Sequence, residues 1–409
     1  MKMSGKECLF IVLIYIFALQ FGVMQKISIF QYWDEFYAGL CIPLAFIQFN
    51  GKIKLKKEKN YIKKLISALI LFVLLGVIPN CIYKYQEPFS VFKDIFTNLK
   101  FFMGIATTYY LFKDLKISTY RKQIQFHTKL LILIFLILVL QNKRTHIFSV
   151  ADMRFGLSAE KIFFNHPTEL ASVTFFLLLI LMISYNNKKK NIFFVSMAVI
   201  VILSTLRFKA IVTVMLFIYM YFIVISGKKM RMIYLAPLIP FVLAIGGDEF
   251  YFYFFSTNSM DMARGALSFT SIKIAIDNFP LGTGFGTFAS WASGTSYSPV
   301  YSLYGISGVW GLTKDWPQLV SDVFWPMVIA QNGFLGLILY FMILYYLFRI
   351  VMQCSKFDKK LFLGGIGALL YLFISSIAES AFVNPLALSL SFIIGMCICA
   401  YKQEEIGGF

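Results

Sequence analysis

The sequence predicts an all-α polytopic membrane protein, with about twelve transmembrane helices and one large loop on the extracytoplasmic side. Three observations predict it. Mean hydropathy is +0.74, and only 14% of residues are charged, against roughly 25% in soluble chains. Apolar runs of about 20 residues, the length that crosses a bilayer core, recur along the 409 residues. Lysine and arginine gather in the gaps between those runs, at 52–64, 113–122, 188–190, 228–231 and 356–360. That is the pattern of cytoplasmic flanks facing anionic lipid.

Setting the basic clusters inside orders the spans as 8–24, 34–49, 62–82, 95–112, 128–141, 167–185, 192–206, 208–226, 232–246, 326–350, 361–379 and 385–401. Both termini are then cytoplasmic. The first run follows Lys2 and Lys6 and lacks a small-residue cleavage site, so it reads as a span rather than a cleaved signal peptide. The stretch 191–226 tests the topology, because it is apolar except for Arg207 and Lys209. As one helix it would run about 54 Å at ~1.5 Å per residue, too long for a ~30 Å hydrocarbon core. Its flanks, NNKKKN and GKKMR, are both basic and belong on one side. The chain must therefore cross twice and turn tightly at 206–209, which puts two cations outside, where the charge rule disfavours them.

After 232–246 the chain leaves the membrane for residues 247–325, about a fifth of its length, and loops of that size are where function concentrates. Within this loop, 263–279 has a helical apolar face of Leu267, Ile272, Ala275, Ile276 and Phe279. Pro280 ends it, and PLGTGFGTF (280–288) makes a glycine-rich turn. Smaller outside loops fall at 25–33, 83–94 and 142–166. The whole chain, 1–409, reads as one membrane domain containing that loop.

A net charge of +18 would fit nucleic acid if it were gathered on one surface. It is instead divided among the loops between spans, which argues for the bilayer as partner and against nucleic acid. The cysteines, Cys8, Cys41, Cys81, Cys354, Cys397 and Cys399, sit in or beside apolar runs, with no CxxC pair. His127 and His146 stand alone, so no metal site and no cofactor are expected.

The residues that could carry chemistry lie on the expected outer side. Arg154, Arg207 and Arg264, with Lys209 nearby, suit an anionic ligand, because the planar guanidinium donates paired hydrogen bonds and stays charged in a dry site. An intramembrane arginine costs about 2.5–3.5 kcal/mol, so it usually marks a site or an ion pair. For Arg264 a simple helix-start position explains the residue equally well. His166 and Glu169, in Asn165-His166-Pro167-Thr168-Glu169, are ionisable groups at a membrane interface, where either could bind a sugar or take a proton. They also read as a helix start, with Pro167 first and Glu169 near the positive end of the dipole. Asp322, just before an apolar run, is the best single carboxylate for a general base, and Ser321 or Asp322 would also cap the following helix. Asp315 and Glu379 are weaker candidates. Tyr297, Tyr301 and Tyr304 suit stacking on sugar rings, and equally a loop lying in the headgroup belt. The glycine turn follows a helix, not a strand, and the chain lacks GxxxxGK[ST], so tight backbone geometry is its expected role rather than phosphate binding.

These residues, in this order, resemble the O-antigen polymerase and O-antigen ligase superfamily of polytopic glycosyltransferases. Arg154-Phe155-Gly156 followed by NHPTELA resembles the family's arginine–glycine segment leading into a span. Ser204-Thr205-Leu206-Arg207 resembles its Ser-Arg hairpin tip. Arg264 followed by PLGTGFGTF resembles the loop arginine and the alternating-glycine turn, and SDVFWPMVIAQNGFLGL (321–337) resembles the exit from the loop. The likeness covers most of residues 150–340. It implies a GT-C-like membrane glycosyltransferase in the bacterial inner membrane, with a periplasmic active site and substrates carried on undecaprenyl diphosphate.

By the same resemblance, Arg207 and Arg264 hold the donor diphosphate with help from Arg154 and Lys209, and no metal is needed. A chain-length regulator and a flippase are implied partners. Ligases of the superfamily are similar to one another in a histidine at the loop exit. Here that place reads Val320-Ser321-Asp322, and no histidine occurs in the large loop. That departure favours a polymerase joining repeat units over a ligase acting on lipid A-core, and leaves Asp322 or Glu169 for proton transfer. A lipid-linked oligosaccharide flippase is the transporter alternative, but it would be expected to show repeat symmetry and paired broken helices rather than one dominant outer loop.

Overall fold

The computed structural model describes residues 5–48, 61–115, 117–149, 152–154, 156–184, 188–225 and 259–407. The expected span 232–246, the start of the large loop at 247–258 and the basic clusters at 52–60 and 228–231 lie outside the described residues. The protein is mostly helical (75%). In chain order the helices are α1 (Gly5–Met24), α2 (Trp33–Gly39), α3 (Cys41–Gln48), α4 (Tyr61–Tyr83), α5 (Pro88–Phe112), α6 (Ile117–Thr145), α7 (Pro167–Ile183), α8 (Lys188–Ser204) and α9 (Phe208–Ile225). They continue as α10 (Ala263–Asp277), α11 (Trp291–Thr295), α12 (Val300–Leu303), α13 (Trp325–Cys354), α14 (Lys359–Ser375) and α15 (Pro385–Gly407). Among the described residues the one sheet is a hairpin of β1 (Met153–Arg154) and β2 (Leu157–Ser158), antiparallel with Met153 opposite Ser158.

Among the described residues, four helices are long and apolar enough to cross a membrane: α1, α4, the Arg121–Thr145 part of α6, and α13. The apolar stretches Pro167–Ile183, Asn191–Ser204, Phe208–Val224 and Pro385–Ala400 are shorter. Every expected span within the described residues falls on helix, with differences in bounds; α6, for one, starts at Ile117 rather than 128. The segment 34–49 is two short helices, because Pro43 has no N–H to give the Gly39 carbonyl and the ladder breaks there. Helix α5 starts at Pro88, not 95, with proline in the first turn where its missing N–H costs nothing. Helix α14 ends at Ser375, short of 379. The stretch 191–226 does break as required, between Ser204 and Phe208, where Leu206 takes a left-handed φ of 51°.

Helix α7 forms the axis of the bundle. Its residues from Leu170 to Ile183 are all buried, as expected of a helix that is apolar all round. It touches α1, α6, α8, α9, α14 and α15. On the flank, α2 is tied to α5 by a buried Asp34–Lys100 ion pair and by a 2.8 Å hydrogen bond between the Tyr37 and Thr108 hydroxyls.

The second organising feature is the turn at 280–288, which inserts into the bundle against α4, α5 and α13. Gly333 breaks the α13 ladder with φ 67° and ψ −169°. That frees carbonyls of the preceding turn, which need donors wherever water is scarce. Thr283 N–H donates to the Ala330 carbonyl and Gly284 N–H to that of Gln331, both at 2.9 Å. Asn80 brackets Phe285, accepting its N–H at 2.8 Å and donating to its carbonyl at 2.9 Å. Gly286 N–H donates to buried Asp94 at 2.7 Å, and the Gln331 amide donates to the Phe288 carbonyl at 2.8 Å. The fit requires glycine at 282, since a Cβ there would lie 2.1 Å from the Ala330 carbonyl oxygen.

Candidate functional site

One cleft, of about 660 Å³, opens where α1 and α14 end and where α7, α9, α10, α13 and α15 begin or are approached. Its wall contains Arg154, His166, Glu169, Arg207, Lys209, Arg264, Asp322 and Glu379, with Phe21, Phe208 and Leu386 as apolar neighbours. Eight of the twelve residues singled out from the sequence, the weaker candidate Glu379 included, thus line one cavity, although they span more than 200 positions of chain.

Each is placed by local structure. Arg207 ends the tight turn after α8, and its carbonyl receives the first α9 amides, from Ala210 and Ile211, at 3.1 Å. Its side chain is 12% exposed. Arg154 comes from β1, whose hairpin is anchored by buried Glu160, accepting from Asn142 at 2.7 Å and Ser158 at 2.9 Å. Arg264 sits in the first turn of α10, an unfavourable place for a cation beside the positive end of the helix dipole. Asp322 offsets this by accepting from Arg264 Nε at 2.6 Å. Asp322 does not cap α13: the capping position is Phe324, with no side-chain hydrogen bond. Lys209 forms an ion pair with Glu379, both 18% exposed.

At the head of α7, His166 is the capping residue, and its Nδ1 accepts the Thr168 N–H at 3.2 Å. Glu169 reaches back to accept the Asn165 N–H at 3.1 Å. The helix-start geometry and a place in the cleft therefore coexist. Burial, then the nearby Arg207 and Lys209, lower the His166 pKa to about 4, so the imidazole is neutral at pH 7 with its proton on Nε2.

Asp152 is the residue the sequence did not single out. Its two carboxylate oxygens accept from Arg154 Nε at 3.0 Å and from Arg207 Nη2 at 2.9 Å, fixing two arginines relative to each other. The available signal was its spacing: Asp152 and Arg154, two apart in an extended strand, share a face.

The three tyrosines stand elsewhere, and the expectation for Tyr301 needs correction. Tyr301 is 0% exposed. Its ring is stacked between Phe288 and Tyr297, with centroids at 5.4 and 5.2 Å. Its hydroxyl accepts the Ala289 N–H at 3.0 Å and shares a 2.7 Å hydrogen bond with Ser293. No sugar ring can reach it. Tyr297 donates to the Leu312 carbonyl at 2.5 Å, and Tyr304 accepts from Asn278 at 3.3 Å, so both brace the loop. Exposed aromatics of the loop include Trp291, Trp310, Trp316 and Phe279. Asp315, also outside the cleft, has no role in it.

Fixed guanidinium and ammonium groups in a partly desolvated cleft, each beside a carboxylate, make a site for an anion that can exchange with those carboxylates. Among the described residues no group of three His, Cys, Asp or Glu is placed to hold a metal ion. No protein-family model matches this sequence, and no curated protein matches it.

Proposed function

We propose that this protein is a membrane glycosyltransferase of the O-antigen polymerase type, joining oligosaccharide repeat units carried on undecaprenyl diphosphate. In this reading the chain spans the bacterial inner membrane about twelve times in a GT-C-like fold, keeps both termini in the cytoplasm and works on the periplasmic side. Arg207 and Arg264 hold the donor diphosphate, Arg154 and Lys209 add charge, and a sugar hydroxyl of the acceptor attacks the anomeric carbon. Preorganised cations contribute most where a leaving group gathers negative charge.

The observation that carries the proposal is the convergence of Arg154, Arg207, Lys209 and Arg264, with His166, Glu169 and Asp322, on one cleft at one end of the bundle. The orientation is supported by the other end. Lys6 pairs with Asp114 at 2.9 Å about 22 Å along α1 from Phe21, taking ~1.5 Å per residue. Arg121 and Lys360 lie near each other at the same end.

The test is chemical. Purified protein in lipid receives an undecaprenyl-diphosphate-linked repeat unit, and the products are separated by size. The proposal predicts a ladder. A single transfer to added lipid A-core would instead make it a ligase, and unchanged substrate would end the glycan-joining reading.

A further inference from the structure

We infer that Glu169 is the general base that accepts the proton of the attacking sugar hydroxyl, and that Asp322 is a positioning residue for Arg264. The inference rests on the glycan-joining reading above. Its argument is the set of partners around each carboxylate at the cleft.

Asp322 is bound to Arg264 through Oδ2 at 2.6 Å. Glu379 is bound to Lys209. Asp152 places one oxygen on each of two arginines. A carboxylate held against a cation is a poor proton acceptor, because the cation stabilises the ionised form. Glu169 differs. It accepts the Asn165 backbone N–H at 3.1 Å, and Lys161 acts on it through charge.

His166 is the other acceptor to consider. Its one free lone pair, on Nδ1, is taken by the Thr168 N–H, so the neutral ring offers a donor at Nε2 and cannot serve as base. Glu169 also sits in the first turn of the most deeply packed helix, where a catalytic group is held without loop motion.

In the step, the acceptor oxygen forms its bond to the anomeric carbon as the bond from that carbon to the phosphate oxygen breaks. The hydroxyl proton passes to Glu169, and the bonding electron pair leaves with the diphosphate, facing Arg207 and Arg264. Glu169 then returns the proton to water.

The test compares Glu169→Gln with Asp322→Asn in the purified ladder assay, measuring kcat, KM and the pH profile. Glutamine keeps a carbonyl oxygen for the Asn165 N–H, so α7 keeps its start. We expect kcat to fall at least 100-fold with KM within threefold of wild type, and the acid limb of the pH profile to vanish. Asp322→Asn should instead raise KM about three- to tenfold and keep that limb. Binding of the lipid-linked substrate to Glu169→Gln shows that the variant is folded. If Glu169→Gln does not purify folded, Glu169→Asp serves, with the acid limb kept and kcat lowered. Loss of the limb in Asp322→Asn but not in Glu169→Gln would overturn the assignment, as would a kcat for Glu169→Gln within tenfold of wild type. A wild-type protein that makes no ladder would overturn the underlying reading instead.

Discussion

The glycine turn at 280–288 and the charged cleft draw on neighbouring stretches of chain, yet they are built in opposite ways. In the turn, the N–H groups of Thr283, Gly284, Phe285 and Gly286 are all taken, by helix carbonyls, by the Asn80 amide and by Asp94. Those four donors are spent inside the protein, and Gly282 serves close packing. In the cleft, the side chains are charged, partly exposed and paired with carboxylates that an incoming anion can replace. The comparison separates two meanings of a polar loop motif: glycines that seat a loop in a bundle and arginines that, on the proposed reading, meet a ligand.

Substitutions should respect that division. The largest effect is expected in the cleft. Arg207→Ala or Arg264→Ala should lower turnover about 10²–10³-fold, the range seen when a fixed donor to a developing charge is removed. Helical content and melting should stay near wild type, and lysine should rescue poorly because it lacks the paired donors. Full-length glycan chains from cells carrying either alanine variant would break the division. Next comes the turn. Gly282→Ala pushes a methyl into the Ala330 carbonyl and should cost ~1–3 kcal/mol of stability. By contrast Gly308→Ala, with nothing within 4 Å of the new carbon, should stay within about 0.5 kcal/mol of wild type. Melting in detergent compares the two.

Tyr301 sharpens the contrast from the loop side. Tyr301→Phe leaves the Ala289 N–H without its acceptor and should cost ~1 kcal/mol, with KM for the glycan unchanged. A raised KM would restore Tyr301 to the binding surface.

The last effect, one of pH rather than of contact, concerns His166. Its pKa in the folded protein is about 4, below its ordinary value of 6.5, so between those values the unfolded chain binds more protons. Its contribution to stability is complete above pH 6.5 and is lost progressively as the pH falls toward 4. His166→Asn keeps a capping side chain and should flatten the melting temperature across that window. An unaltered slope would mean that other groups set it.

Much of the helical layout was legible because apolar runs and basic flanks report span and side independently. The hairpin tip at Arg207 could be derived from length alone, since 191–226 is too long for one crossing. The break in α13 could not. WPMVIAQNGFLGL reads as continuous helix, and what stops it is a distant turn wedged against Gly333. Asp152 was hidden because it lies outside any span, beside a hairpin of four paired residues too short for its spacing to Arg154 to stand out. The Asp34–Lys100 pair depends on how α2 meets α5, which neither stretch of sequence shows by itself. The aromatic loop was misjudged at Tyr301 because composition cannot distinguish a ring offered to a ligand from one packed beneath Phe288. Convergence of the charged residues on one cleft likewise depends on the tertiary fold.

The central claim is that the outer cations grip a lipid diphosphate, and binding tests it without requiring turnover. Wild type, Arg207→Ala and Arg264→Ala are placed in lipid nanodiscs and titrated with undecaprenyl diphosphate. Wild type should bind saturably, and each alanine variant should lose at least about tenfold in affinity, as expected when a charge-assisted contact worth ~1.5–3 kcal/mol is removed. Equal affinity in all three proteins would contradict the account.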